Sequence, residues 1–249
     1  MMDTKSITRR GIVVGASSGM GNEVARLLLR DGWTLGLGAR RTEPLEALAR
    51  EFPGQVVCRQ IDVNDAHADE ALRQLIADLD GISLYFHAAG VGHQNHELTA
   101  DKELQTVTTN GLGFARMVGE AYRYFATKGE GHIAVISSIA GTKGLGVAPA
   151  YSATKAFQNV YIQALEQQAN MRRLRIRFTD IRPGFVQTAL LADGTRYPLL
   201  MDPKKVARHI VSAIYHHRHV CVIDTRYRIL TALWRWLPNA LWRRMSIHN

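Results

Sequence analysis

Two residues four apart carry the first chemistry in this sequence. Tyr151 and Lys155 stand in Tyr151-Ser152-Ala153-Thr154-Lys155, inside a stretch with helical spacing over 150–171. Positions i and i+4 share one face of a helix, so phenol and ammonium project into one site. A phenol with an ordinary pKa near 10 moves protons poorly at neutral pH. A cation beside it stabilises the phenolate and is expected to lower that value, which makes the pair an acid/base device. Taken alone, the same spacing also fits a structural pair. Ser138 stands 13 residues upstream of Tyr151, at the end of the apolar run 132–138. A hydroxyl at the C-terminal edge of a strand faces the crevice in which open α/β sheets bind ligands, where it can hydrogen-bond a carbonyl. Asn110, in Thr109-Asn110-Gly111, lies within a helical stretch over 101–127. Glycine weakens a helix interior, so a kink with a free backbone carbonyl is expected there, and with it a place for a water.

A second set of residues suits an anion. The apolar run GIVVGA (11–16) leads into Gly15-Ala16-Ser17-Ser18-Gly19-Met20-Gly21. A glycine-rich turn between a strand and a helix lets backbone approach a pyrophosphate, and the helix N-terminus offers unpaired N–H groups and a positive dipole end. A tight turn that serves only packing is the plainer alternative, and the GxxxGxG spacing departs from the usual GxGxxG. About 20 residues on, an acid would accept from the ribose 2′-hydroxyl of NAD. The chain has Gly38-Ala39-Arg40-Arg41-Thr42 instead. Planar guanidiniums suit a phosphate, so the expected cofactor is NADP(H). The alternative is two solvated arginines, but cations at a helix start oppose its dipole, which favours an anionic partner. Asp62, in Ile61-Asp62-Val63, is placed to accept from an adenine amino group; an isolated Asp also serves as a turn or cap residue.

These residues need a scaffold that brings strand ends together. The chain has 249 residues, 46% hydrophobic and 21% charged, which excludes a disordered or low-complexity protein. Short apolar runs at 11–16, 34–39, 55–61, 82–90, 132–138, 175–181 and 219–223 alternate with helical patterns. That alternation predicts an α/β fold, a parallel sheet of about seven strands covered on both faces. No repeat or linker divides it, so one domain is expected. Two cysteines exclude a disulfide framework and fit a reducing, cytoplasmic setting. The first apolar run is too short for a signal peptide core, and no apolar stretch reaches the roughly 18 residues of a spanning helix. His93 and His96 lack the spacing of a metal site, and no metal is expected.

The charge is uneven. Lys plus Arg exceed Asp plus Glu by +9 overall, and residues 203–249 hold nine bases against one acid, or +8. In this tail Ile229, Leu233, Leu237, Leu241 and Met245 recur every four residues, with Trp234, Trp236 and Trp242 and with Arg228, Arg235, Arg243 and Arg244 among them. Pro238 is expected to break the tail helix in two. The tail fits three uses: a cap or dimer contact over the site, a segment lying on an anionic membrane, or nucleic-acid binding. Charge without a recognition module is thin support for the last, and nucleic acid is not an expected partner.

Taken together, GASSGMG (15–21), HAAG (87–90), the Asn110 helix, SSIAG (137–141), YSATK (151–155) and PGFVQT (183–188) resemble the short-chain dehydrogenase/reductase family over roughly residues 8–224. The family usually has NNAG where this chain has HAAG, so one structural hydrogen bond differs at His87. The resemblance implies a Rossmann-type, doubly wound, three-layer α/β/α domain over 1–224, with 225–249 as an extension. It implies that Tyr151 is the general acid/base, that Lys155 binds the nicotinamide ribose and lowers the Tyr151 pKa, that Ser138 orients the carbonyl, and that Asn110 carries a proton-relay water. It implies a cofactor set of Gly15, Ser17, Ser18, Gly19, Met20, Gly21, Arg40, Arg41, Asp62, Val63, Ala89 and Gly90, joined by Tyr151, Lys155, Pro183, Gly184, Val186 and Thr188. Ser138, Tyr151 and Phe185 would meet the substrate beneath a lid at 189–201. The apolar segments 144–149 and 185–186 suit an apolar ketone or aldehyde, interconverted with its alcohol by hydride transfer, and equally suit packing alone. The resemblance also implies a homodimer or homotetramer through the helices at 101–127 and 150–171. A rival from another class is an NADP(H)-binding sensor or scaffold without catalysis. The full set Asn110, Ser138, Tyr151 and Lys155 argues against it.

Overall fold

Apolar runs without polar alternation must be covered on both faces, and the chain supplies that cover with helices. The structure, a computed structural model, describes residues 9–188 and 197–247. Strands β1 (Arg10–Val14), β2 (Thr34–Ala39), β3 (Val56–Gln60), β4 (Leu84–His87), β5 (Glu130–Ile136), β6 (Arg175–Arg182) and β7 (Val220–Val222) form one sheet in the order β3-β2-β1-β4-β5-β6-β7. Every pairing is parallel, with Ile12 opposite Tyr85 and Val14 opposite His87 across the centre. The expected seven-stranded α/β architecture is therefore present.

Helices α1 (Gly19–Arg30), α2 (Glu43–Glu51), α3 (Ala68–Asp78), α4 (Ala100–Val107), α5 (Phe114–Lys128), α6 (Pro149–Met171) and α7 (Pro203–Tyr215) connect the strands. Two apolar cores result, one on each side of the sheet. Leu28, Leu37, Phe86 and Ile210 lie in one, and Ile12, Tyr85, Phe114 and Phe178 in the other. Each such side chain contributes about 1.5–3 kcal/mol when fully buried. The strand ends are held in place by this packing.

Strand order reverses between β1 and β4. Their C-terminal ends open the crevice in which doubly wound sheets bind ligands. The expected kink at Asn110-Gly111 is a π-helical turn, Thr108–Gly113, between α4 and α5. Such turns concentrate at functional sites. After β7 come α8 (Thr225–Trp236) and the short α9 (Asn239–Trp242), parted at Pro238 as expected. β3, β4 and β7 fall inside their apolar runs, β2 coincides with its run, and β1, β5 and β6 are shifted from or extend theirs by one or two residues.

Candidate active site

The crevice is shaped by backbone that only glycine allows. Gly15 has φ +90°, and a Cβ there would come within 2.5 Å of the Ala89 nitrogen. A Cβ on Gly21 would lie 2.2 Å from the Gly15 carbonyl oxygen. The turn after β1 thus presses against the end of β4, and Asn22 braces it by donating to the Ala16 carbonyl at 3.0 Å. Ser18 caps α1 in extended conformation without a side-chain capping bond, and the first turn holds no acid. The amides of this turn are left for an anion. Thr188 approaches from the opposite bank, its methyl 3.5 Å from where a Gly19 Cβ would stand.

Arg40 and Arg41 stand exposed at the end of β2. Neither guanidinium makes an ion pair or side-chain hydrogen bond among the described residues. Asp62 serves as a turn residue, one carboxylate oxygen accepting from the Asn64 amide at 3.0 Å. Val63 is buried, and its carbonyl accepts from Arg116 at 3.0 Å.

Tyr151 sits in the first turn of α6, where Pro149 opens the helix. Its phenol lies near enough to the Ser138 hydroxyl for that group to pull the phenol's pKa downward. Ser138 in turn accepts from the Ala140 amide at 3.1 Å, which fixes its rotamer. Lys155 lies one helical turn on, its Nζ 5.7 Å from the centroid of the Tyr151 ring. Gly90 closes the group, since a Cβ there would lie 3.2 Å from Asn110 Oδ1 and 3.7 Å from Lys155 Nζ. Asn110, Ser138, Tyr151 and Lys155 are therefore neighbours.

Two expectations need correction. The phenol is not lowered. Burial pushes the Tyr151 pKa above 10, and the neighbouring Ser138 hydroxyl pulls against that without overcoming it. Lys155 is directed elsewhere, donating to the Ile136 carbonyl at 3.1 Å and to Gln158 Oε1 at 3.0 Å. Its own pKa is lowered to about 8 by burial, with Asp180 pulling it upward. Secondly, the Asn110 carbonyl is not free. Gln158 Nε2 donates to it at 2.9 Å, while the Asn110 amide exchanges bonds with the Val91 backbone at 2.9 and 2.7 Å. A glutamine links the Asn110 carbonyl to Lys155.

Sequence spacing missed three residues that support the site. Gln158 follows Lys155 by three positions, and the i,i+3 rule would have placed it on the same face. Asp180 is a buried acid inside β6, hydrogen-bonded by Ser137 and, from Arg182 Nε, at 2.7 Å. An acid within a strand buried on both faces is the signal that could have found it. Tyr227 of α8 is the third. Its ring fills the space beside Gly184, where a Cβ would stand 2.3 Å from it, and its hydroxyl accepts from the Phe185 amide at 3.3 Å. The same hydroxyl donates to the Pro198 carbonyl at 2.9 Å. Tyr227 therefore ties the segment 183–186 to the segment 198–201, which also pair through Val186 and Met201. Residues 189–196 of the expected lid lie outside the described residues.

The extension packs on the loop between Ser138 and Tyr151. Trp242 Nε1 donates to the Gly144 carbonyl at 2.7 Å, and Lys143 reaches the Leu237 carbonyl at 3.0 Å. A cavity of about 670 Å³ between them is lined by His96, Lys143, Gly146, Val147, Trp242 and Met245, among others. Neither Ser138 nor Tyr151 lines it. His93 and His96 bond Gln105 and Gln94, and no cluster fit for a metal occurs among the described residues. His87, the departure from NNAG, is buried, bonded to the Tyr85 hydroxyl at 2.9 Å through Nδ1, and held neutral by burial with a pKa of about 3.

Residues 10–196 match the short chain dehydrogenase family. An "uncharacterized oxidoreductase" of Myxococcus xanthus is 30% identical over 240 residues, covering 94% of each chain. Among solved structures, a serine dehydrogenase complexed with NADP+ superposes with a TM-score of 0.74 at 21% identity, covering 86% of this chain and 94% of that one. An alcohol dehydrogenase of the archaeon Thermococcus sibiricus, complexed with 5-hydroxy-NADP, gives 0.76 at 22%, covering 88% and 97%. The match over most of the chain, carried by the same turn, strands and helix that build this crevice, places the protein in the short chain dehydrogenase family of oxidoreductases.

Proposed function

We propose that the protein interconverts an apolar ketone or aldehyde and its alcohol with NADP(H). The observation that carries this reading is the Ser138 hydroxyl beside the Tyr151 phenol, with Lys155 one turn away, at the mouth of the glycine-shaped crevice. The crevice fits a dinucleotide: it has a turn no side chain can enter, open amides at a helix start, and two guanidiniums without an ion pair among the described residues. The α1 amides would take the pyrophosphate, and Arg40 and Arg41 the 2′-phosphate. The NADP ligands of the two superposed dehydrogenases support the same choice. When bound, the nicotinamide supplies or accepts the hydride.

The chain's own residues do the rest. Ser138 and Tyr151 donate to the carbonyl oxygen, where negative charge gathers. Tyr151 then gives up its proton to that oxygen. Lys155, held in place by Gln158 and the Ile136 carbonyl, stabilises the phenolate left behind. Asn110 acts through Gln158 rather than on the substrate. Phe185, against Tyr197 with ring centroids 4.7 Å apart, gives the pocket an apolar wall. The test is NADPH consumption against a panel of ketones and aldehydes. NADPH binding with no turnover of any carbonyl, and no reduction of NADP+ by any alcohol, would favour the sensor or scaffold.

The titration of the site has a sign. Tyr151 must be protonated to act in reduction, and its raised pKa keeps it so throughout neutral pH. Lys155 loses its charge as pH rises through about 8, so reduction is expected to decline above that point. Asp180 favours the charged amine. Asp180→Asn should therefore move this limb of the pH–rate profile to lower pH, without loss of NADPH affinity. An unmoved limb would show that Asp180 only supports the strand.

We further propose a homo-oligomer, supported by Leu104, Val107 and Leu112 on α4 and the π-turn and by Phe157 and Val160 on α6, all exposed. Free Cys58 and Cys221 support a reducing, cytoplasmic setting.

A further inference from the structure

The extension has two faces. Tyr227 and Thr231 of α8 are buried against the body, and Trp234 meets Trp242 with centroids 5.3 Å apart. The opposite face carries Ile229, Ala232, Leu233 and Trp236, at i, i+3, i+4 and i+7, one continuous stripe along a helix. All four are exposed, Leu233 at 61% and Trp236 at 88%. Beyond Pro238, Leu241 and Met245 are exposed as well. A soluble helix with this composition would turn that stripe inward.

Charge frames the stripe. Residues 225–249 hold five arginines and no acid. Arg228 and Arg235, two turns apart, line one edge of the α8 face, and Arg243 and Arg244 follow it. None of these four makes an ion pair among the described residues, whereas Arg226, on the other edge, is held by Asp224. Apolar side chains bordered by unpaired arginines match the two layers of an anionic lipid surface, acyl chains below and phosphates above. A second copy of this chain would set the same unpaired positive charges against each other. A nucleic-acid backbone would leave the indole and leucines in water. No helix among the described residues is long and apolar enough to cross a membrane, so the fit is to the surface.

We propose that α8 and α9 seat the protein on an anionic lipid bilayer, Trp236 and Leu233 entering the acyl boundary and Arg228, Arg235, Arg243 and Arg244 meeting lipid phosphates. This contact is independent of the redox reading, because its readout is adsorption and not turnover. The full chain should sediment with vesicles of phosphatidylcholine and phosphatidylglycerol, and far less with phosphatidylcholine alone. Trp236 emission should shift to the blue on the anionic vesicles, and Trp236→Phe should remove most of that shift. Each arginine replaced by Gln should weaken binding about fivefold, and added salt should do the same progressively. Leu233→Glu with Trp236→Glu, both exposed, should abolish binding without altering thermal unfolding. The proposal falls if the wild type ignores anionic vesicles or binds both compositions equally. It also falls if the double variant still binds. It falls equally if that variant instead halves the particle mass in solution, or if the chain prefers duplex DNA to the vesicles.

Discussion

Tyr151→Phe should lower kcat by about 10²–10⁴-fold, the usual contribution of a positioned proton donor, and leave NADPH affinity nearly unchanged. The phenyl ring keeps the volume in the first turn of α6, so the fold loses only a hydroxyl. What disappears is the donor beside Ser138, the group on which the developing alkoxide depends. Single-turnover kinetics with bound NADPH isolate the chemical step from cofactor binding and product release. The phenylalanine variant should also lose the pH dependence of alcohol oxidation, which in the wild type requires the phenolate. Turnover within tenfold of wild type would remove Tyr151 from the reaction. It would then leave the π-turn and the Lys155–Gln158–Asn110 chain without a purpose.

Arg40→Ala combined with Arg41→Ala should weaken NADPH binding about 10²-fold, the low end for two charge-assisted contacts, because both side chains are exposed and screened. NADH affinity should hardly move, since a free 2′-hydroxyl gives a guanidinium no anion to meet. The ratio of the two dissociation constants, from fluorescence titration, is the measurement. A salt series adds a second check: the wild-type preference should shrink as ionic strength rises, and the variant should have little left to lose. Equal weakening of both cofactors would mean that the arginines hold the turn rather than the phosphate.

The scaffold was legible because parallel strands announce themselves as unbroken apolar runs. GIVV, TLGLGA and HIAVI each lie in the sheet where their lack of alternation demanded. Tyr151 and Lys155 were legible because an i,i+4 spacing becomes a shared direction as soon as a helix forms. Asn110-Gly111 announced an irregularity, and the chain placed a π-turn there. What spacing could not convey was the balance of opposing effects around a buried charge. An ammonium beside a phenol suggests a lowered phenol pKa. Yet Lys155 is drawn to Ile136 and Gln158, and burial of the phenol outweighs the rest. Likewise, the partner of the Asn110 carbonyl stands 48 positions further along the chain, and no local pattern names Gln158. The tail shows both sides of this. Its four-residue apolar period was plain in the sequence, but which side of the helix would stay uncovered was decided by Tyr227 and Trp242 finding seats on distant loops.

The seat of Tyr227 makes Gly184 a remote handle on the C-terminus. One methyl group added at position 184 would need the space that the tyrosine ring fills, only 2.3 Å away. Something must yield, and α8 has fewer anchors than the sheet. A Gly184→Ala allele would thus behave as a lesion of a helix 43 residues downstream, loosening the grip on Phe185 and Pro198 while every residue of that helix remained native.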